Sequence, residues 1–335
     1  MARAARLCAL LLLALLPGCA PDYVLPGPRM NDAMLVENRE LLTPDGVRLP
    51  MRAWSPEGEV KAVIVALHGF NDHSTAFEMP ARYWARHGIA TYAHDQRGFG
   101  QAPNRGRWPG MVAFSGDAAA ALRLVRARHP GVPVYLLGES MGGAIAMVTA
   151  TRPGAPAVDG LILVAPAVWG RQTMGPVKRV ALAIVSSTMP WLTLSGRGLG
   201  FRPSDNEDML RAFSRDPLVI KDTRADTVRG LVDLMDAALA ASAEMRSPAL
   251  ILYGEKDQIV PKEPTALMLS RLPADAADRQ RVAVYPEGWH MLLRDLQAET
   301  VWNDIRAWIT DRAAGLPSRA DHAARERLER HRPSS

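Results

Sequence analysis

The sequence predicts one α/β domain, a mostly parallel sheet flanked by helices and interrupted by a helical insertion. Three observations carry this reading. Short apolar runs alternate with helix-length segments, and right-handed crossovers turn such a βαβ rhythm into a parallel sheet. One run, Val134 to Leu137, ends in Gly138-Glu139-Ser140-Met141-Gly142 and passes directly into a small-residue, helix-prone stretch. Between about residues 168 and 246 the rhythm breaks and no further sheet strand is expected. At 335 residues and 48% hydrophobic, the chain can bury a core of that size.

The elements follow in order. Arg3 and Arg6 precede the apolar run Leu7–Leu16, which is too short to span a bilayer, so residues 1–18 read as a signal peptide. Residues 19–35, with Pro21, Pro26 and Pro28, read as a stiff tether. At roughly 3 Å per residue over about a dozen residues, it would reach some 40 Å at most. The main domain, 36–314, opens with a hairpin of Glu37–Thr43 and Arg48–Trp54 around Pro44-Asp45-Gly46. Strand 61–67, a helix from about Ser74 to His87, strand 89–94 and a helix over about Ser115–Arg128 lead to the strand before Ser140. Strand 159–166 follows the next helix, and the runs Pro248–Gly254 and Arg281–Tyr285 bring the sheet to eight strands. Within the insertion, Val177, Val180, Ala181, Ile184 and Val185 repeat at helical spacing, as do Leu231, Leu234, Met235 and Ala238. These stripes read either as internal packing or, with Trp169, Met174, Met189, Trp191 and Leu194, as the wall of an acyl-binding tunnel under a lid. Residues 315–335 are charged and lack apolar periodicity; they are expected to be disordered, with a short charged helix as the alternative. No internal repeat is found.

The Gly-x-Ser-x-Gly layout is that of a nucleophile elbow, which holds a serine on a sharp strand-to-helix turn. A Cβ at Gly138 or Gly142 would collide across that turn. Amides at the start of the following helix face the place where negative charge develops during acyl transfer. A serine hydroxyl is a poor nucleophile until a base takes its proton, and in folds with this elbow the chain order is serine, acid, histidine. Of eight histidines only His290, His322 and His331 lie late enough, and the last two sit in the charged tail. His290 lies in a loop just past a strand, where a catalytic base belongs in an open sheet. The acid is expected in the loop Glu255–Pro261; Asp257 is preferred and Glu255 competes. The oxyanion hole needs two N–H donors, assigned to Met141 and to Phe70 after the early strand. His68 precedes the serine and is expected to support that loop. No metal or cofactor is required.

Charge adds little. Of the formal net +5, Arg3 and Arg6 contribute +2 and the tail from Leu316 another +2, leaving +1 on the body. The high pI therefore makes no case for a nucleic-acid partner. The two cysteines, Cys8 and Cys19, both lie in the first twenty residues, so no disulfide staples the body.

With these pieces placed, the chain resembles a serine hydrolase of the α/β-hydrolase superfamily, in the monoacylglycerol lipase and lysophospholipase-like group. The matching segments are His68-Gly69-Phe70 with His73-Ser74, Ala93 to Gly100, Gly138 to Gly143, Asp216-Pro217-Leu218-Val219, Gly254 to Pro261 and Glu287 to His290, spanning roughly residues 36 to 314. The resemblance implies ester hydrolysis of single-chain lipids through an acyl-enzyme. Carboxylesterases, thioesterases, peptidases and perhydrolases share the triad and stay open as alternatives. Epoxide hydrolases and dehalogenases place an aspartate at the elbow, so Ser140 argues against both. A catalytically silent envelope lipoprotein that binds lipid or a partner protein is the reading from another class. Such a role would not need Ser140, Asp257 and His290 together. Two departures stand out: Glu139 occupies the elbow where relatives often have histidine, and the oxyanion loop reads Gly-Phe-Asn-Asp. Leu16-Pro17-Gly18-Cys19 resembles the bacterial lipobox. That resemblance implies a lipid on Cys19, a membrane as partner and a place in the cell envelope; ordinary cleavage after Ala20 with no lipid is the alternative. Ala20 in the next position favours the outer membrane.

Overall fold

A computed structural model describes residues 20–37, 39–196, 200–322 and 324–332. Cys8 and Cys19, with the expected signal peptide, lie outside these residues.

Nine strands form the main sheet: β1 (Met34–Val36), β2 (Glu40–Leu42), β3 (Arg48–Trp54), β4 (Ala62–Leu67), β5 (Ile89–His94), β6 (Val134–Glu139), β7 (Gly160–Val164), β10 (Ala249–Gly254) and β11 (Gln280–Tyr285). Their order across the sheet is β1-β2-β3-β5-β4-β6-β7-β10-β11. The first three are antiparallel, and every pair from β5 to β11 is parallel. The ninth strand, beyond the eight expected, is β1; it pairs with β2 in a stretch read as tether.

The strand sequences explain their burial. Ala-Val-Ile-Val-Ala-Leu in β4 and Ala-Leu-Ile-Leu-Tyr-Gly in β10 are apolar at every position because both faces of a parallel sheet are covered. Side chains alternate between faces. Val63, Val65, Leu136, Leu163 and Ile251 join one core, and Ile64, Leu137, Ile162, Leu250 and Leu252 the other. The first core packs against helices α2 (Met111–Arg128), α3 (Met141–Thr151), α6 (Ala225–Ala241) and α7 (Lys262–Arg271). The second packs against α1 (Glu78–Ala85) and α8 (Ala298–Thr310), with Trp84, Trp302 and Trp308 as its largest buried groups.

Chain order reverses between β4 and β6, which run side by side with Leu67 opposite Gly138. Ligand sites of open α/β sheets sit at such a switch point, beyond the carboxyl ends of the strands. The loop after β4 and the elbow after β6 therefore meet there.

The insertion holds α4 (Pro176–Thr188), β8 (Thr193–Ser195), α5 (Glu207–Arg215), β9 (Asp222–Arg224) and α6, with β8 and β9 paired only to each other. Its two expected stripes part company. Leu234, Met235 and Ala238 of α6 are buried in the main core, so this helix belongs to the body. The α4 stripe faces outward, with Val177 80%, Val180 57% and Ile184 56% exposed.

Both ends of the described chain differ from expectation. Residues 22–31, read as a tether, lie against the body as a strap: the Val24 amide donates to the Trp108 carbonyl at 2.9 Å, the Gly27 amide to Asp45 at 3.1 Å, and the Met30 amide to the Pro44 carbonyl at 2.7 Å. The tail, read as disordered, is packed. Leu316, Ala324 and Leu328 are buried, α9 (Ala324–Glu329) lies on α7, and the Val284 amide of edge strand β11 donates to the Ala320 carbonyl at 2.9 Å. Too few apolar residues to build a core suffice when the body supplies the other half, and the tail satisfies part of an edge that would otherwise stay open.

Candidate active site

Ser140 occupies the turn between β6 and α3 at φ 54°, ψ −115°, a left-handed conformation that costs a non-glycine residue energy. Its neighbours hold it there. The Ser140 amide donates to the Val164 carbonyl at 2.9 Å, and its carbonyl accepts from the Ala167 amide at 2.9 Å. The flanking glycines have the steric job expected of them: a Cβ on Gly138 would lie 2.2 Å from the Gly142 carbonyl oxygen, and one on Gly142 would lie 1.9 Å from the Leu67 oxygen. Any side chain at either position would force the strand and helix apart.

The loops after β10 and β11 bring Asp257 and His290 together, with Asp257 Oδ2 2.8 Å from His290 Nδ1. The other carboxylate oxygen accepts from the amides of Ile259 (2.7 Å) and Val260 (2.9 Å), which fixes the side chain in a fully buried position. The two loops are themselves tied, the Lys256 amide donating to the Gly288 carbonyl at 2.9 Å. Gly254 permits this approach, since a Cβ there would meet the Trp289 oxygen at 2.3 Å. Glu255, the competing acid, turns away toward Lys262 at 3.4 Å. Burial opposes charging His290, but the carboxylate and hydrogen bond of Asp257, with help from Glu139, outweigh it and raise the imidazole pKa.

The loop after β4 lies against the nucleophile; a Cβ on Gly69 would sit 3.5 Å from that of Ser140. Phe70 is next along the loop, its ring edge-on to Phe99 at 5.6 Å, and Met141 opens α3. His68 supports this loop as expected. Its Nε2 accepts from the Gln96 amide at 3.0 Å, so Nδ1 carries the proton and donates to the Gly69 carbonyl at 2.8 Å. Complete burial pushes its pKa down and keeps it neutral.

Two segments that carry the family resemblance, far apart in sequence, meet beside this loop. His73 Nε2 and Asp216 Oδ2 are 2.9 Å apart, and Asn71 reaches Thr223 at 2.7 Å while its carbonyl accepts from the Ile220 amide. The insertion is thus fastened to the oxyanion loop. Of the expected tunnel residues, Trp169 and Met174 are half-buried against the core, whereas Met189, Trp191 and Leu194 are 41%, 54% and 40% exposed. The five do not share one environment.

One cluster was not foreseen. Arg294, largely buried, donates to Asp72 at 2.6 Å and to Glu139 at 3.3 Å, and its guanidinium lies 5.6 Å from the centre of the Phe213 ring. It links the oxyanion loop, the elbow, the His290 loop and α5. The sequence carried half the signal: Glu139 in an apolar elbow needs a buried cation, and Arg294 is the charged residue following Met291-Leu292-Leu293. Asp295 is a second such tie, accepting from the Trp289 amide at 2.7 Å and from Ser204 of the insertion at 2.6 Å. Burial pushes its pKa up to about 6. Among the described residues no group of three His, Cys, Asp or Glu side chains is placed to hold a metal ion.

A parallel sheet with a strained serine at its switch point and a buried histidine–aspartate pair on the next loops defines a serine hydrolase of the α/β-hydrolase fold. The chain belongs to the family described as serine aminopeptidase, S33, whose model matches residues 58–297. It is similar to human monoglyceride lipase, 29% identical over 280 residues that cover 82% of this chain and 90% of that one. Similarity to the monoacylglycerol lipase of Mycolicibacterium smegmatis is 26% over 277 residues, covering 79% and 93%. Among solved structures, a soluble variant of the Saccharomyces cerevisiae monoglyceride lipase shares the fold at a TM-score of 0.68 and 18% identity, covering 88% of this chain and 99% of that one.

Proposed function

We propose that the protein hydrolyses carboxylic esters of single-chain lipids, monoacylglycerols first and lysophospholipids second. The observation that carries this is the buried Asp257–His290 pair on the loops after β10 and β11, with a strained Ser140 at the switch point, in a chain similar over most of its length to monoglyceride lipases. His290 Nε2 takes the Ser140 proton as Oγ attacks the ester carbonyl. The amides of Phe70 and Met141 hold the oxyanion. The imidazolium, stabilised by Asp257, returns the proton to the leaving glycerol oxygen. Water then attacks the acyl-enzyme, giving its proton to the same nitrogen, and the fatty acid leaves with Ser140 restored.

The anchor belongs to the same reading. Acylation of Cys19 would hold the enzyme at the envelope membrane, the outer one by the identity of Ala20, where single-chain lipids partition. Among the described residues no helix is long and apolar enough to cross a membrane.

The test is a fluorophosphonate label followed by a substrate panel. Wild type is expected to take the label at Ser140, and monoacylglycerol is expected to give the highest kcat/KM among monoacylglycerols, lysophospholipids, p-nitrophenyl esters, acyl thioesters and aminoacyl amides. Faster turnover of aminoacyl amides would assign the chain to peptide chemistry, and an unlabelled serine would overturn catalysis altogether.

A further inference from the structure

We infer that the N-terminal strap sets the orientation of this enzyme on a phospholipid bilayer, holding the exposed rim of the insertion against the lipid. The inference rests on the proposal that Cys19 is acylated.

The strap begins at Asp22. Its amide donates to Asp226 Oδ2 at 3.1 Å, and its carboxylate pairs with Arg107 and lies 4.0 Å from Arg224. Tyr23 is half-buried against the first core, its hydroxyl enclosed and its pKa pushed up to about 12 by burial. From this point the chain is fixed to the body. Only Ala20 and Pro21 stand between Cys19 and Asp22, so a lipid on the cysteine lies within roughly 10 Å of the clasp at full extension. The long reach expected of a free tether is gone.

The place where the strap lands decides what that short leash does. Asp226 also donates its amide to the Pro190 carbonyl at 3.1 Å, and Ala225 donates to the Leu192 carbonyl at 2.8 Å. The clasp therefore grips the strip that presents Trp191 and Leu194, 54% and 40% exposed. The neighbouring α4 turns Val177, Val180 and Ile184 to solvent at helical spacing, where only Ser186 of that helix is buried. An amphipathic stripe with its apolar side outward is built for an apolar partner. Lys178 and Arg179 stand exposed within the same helix and suit anionic headgroups. A bilayer within reach of Cys19 therefore lies close to this rim.

The test uses the full acylated chain in vesicles of phosphatidylethanolamine and phosphatidylglycerol, part of it carrying brominated acyl chains. With Cys19 blocked by its lipid, a fluorophore on Ile184→Cys occupies the sole free thiol of a chain cleaved before Cys19; Glu57→Cys, in the loop before β4, is the control. Bromolipid is expected to quench the label at 184 several-fold more than the label at 57. Asp22→Lys, which sets like charges against Arg107 and Arg224, is expected to keep its acyl mass and its turnover of a soluble ester. The same change should bring quenching at 184 down to the control level and slow hydrolysis of bilayer-embedded monoacylglycerol by about tenfold, because the anchored enzyme no longer holds this rim against the lipid. An acylated wild type with an unquenched label at 184 overturns this inference and leaves the anchor standing. Quenching that survives Asp22→Lys removes the strap from the explanation and overturns it too. So does crosslinking of position 184 to a second copy in place of lipid. An N-terminal peptide without acyl mass overturns anchor and orientation together.

Discussion

Helices α3 and α4 are both apolar and similar in length, yet the fold treats them in opposite ways. Eight of the eleven residues of α3 are buried, whereas one of the thirteen in α4 is. Helix α3 follows a strand directly, and its Gly142 lets it approach Leu67 of β4 and His68 just beyond it more closely than any side chain would allow. Helix α4 starts at Pro176 with no strand before it and packs only its Leu182 side onto the body. Apolar periodicity reports that a helix has an apolar partner. It does not report whether that partner lies in the same chain.

The contrast can be broken first on activity. Ser140→Ala, at the mouth of α3, is expected to lower kcat/KM on a soluble ester by about three to six orders of magnitude with the fold intact. Substitutions in the α4 stripe should leave that rate almost unchanged. A residual rate within tenfold of wild type would remove Ser140 from the chemistry and, with it, the reason for the strained elbow.

The acid offers the next largest effect. Asp257→Asn is expected to reduce turnover by about 10⁴, because the amide orients His290 in the wrong tautomer. Glu255→Gln, on the same loop but turned to Lys262, should cost little. Stopped-flow acylation of both variants checks this, and a worse glutamine variant would reverse the assignment.

Stability separates the two helices directly. Ile145 is 1% exposed in α3 and Ile184 is 56% exposed in α4. Replacing Ile145 by alanine should cost about 2–5 kcal/mol, and the same change at Ile184 under about 0.5 kcal/mol. Urea denaturation of both variants without membrane gives the comparison. Equal losses would mean that α4 folds onto the body in solution.

Most of the sheet was legible because buried parallel strands are apolar throughout and carry the turn chemistry at their ends. Ser140, Asp257 and His290 could be chosen because chain order and position after a strand leave few rivals. What escaped the sequence depends on partners from elsewhere in the fold. The strap and tail borrow their cores from the body, so their own composition reads as tether and disorder. Arg294 and Asp72 are distant in sequence and need three loops in place before they meet. The outward stripe of α4 has the same pattern as an inward one, and only the fold distinguishes them.

The smallest expected effect concerns the same buried cluster. His290 must be neutral to act as base, so activity rises as pH rises through its pKa, and a raised pKa puts the acid limb of kcat/KM above that of an ordinary histidine. Glu139 contributes to the raising and Arg294 opposes it. Glu139→Gln should therefore move the acid limb to lower pH, while Arg294→Gln should move it to higher pH. The glutamate shift is the larger of the two, because Glu139 acts on the His290 charge more strongly than Arg294 does. Arg294→Gln has a second consequence: Asp72 and Glu139 lose their shared cation inside the protein, so thermal stability falls as well. Measuring pH profiles on a soluble ester, with the melting temperature of each variant followed in parallel, separates the two effects. Limbs that shift in the same direction for both variants would mean that loop geometry, and not the charge of the cluster, sets the basicity of His290.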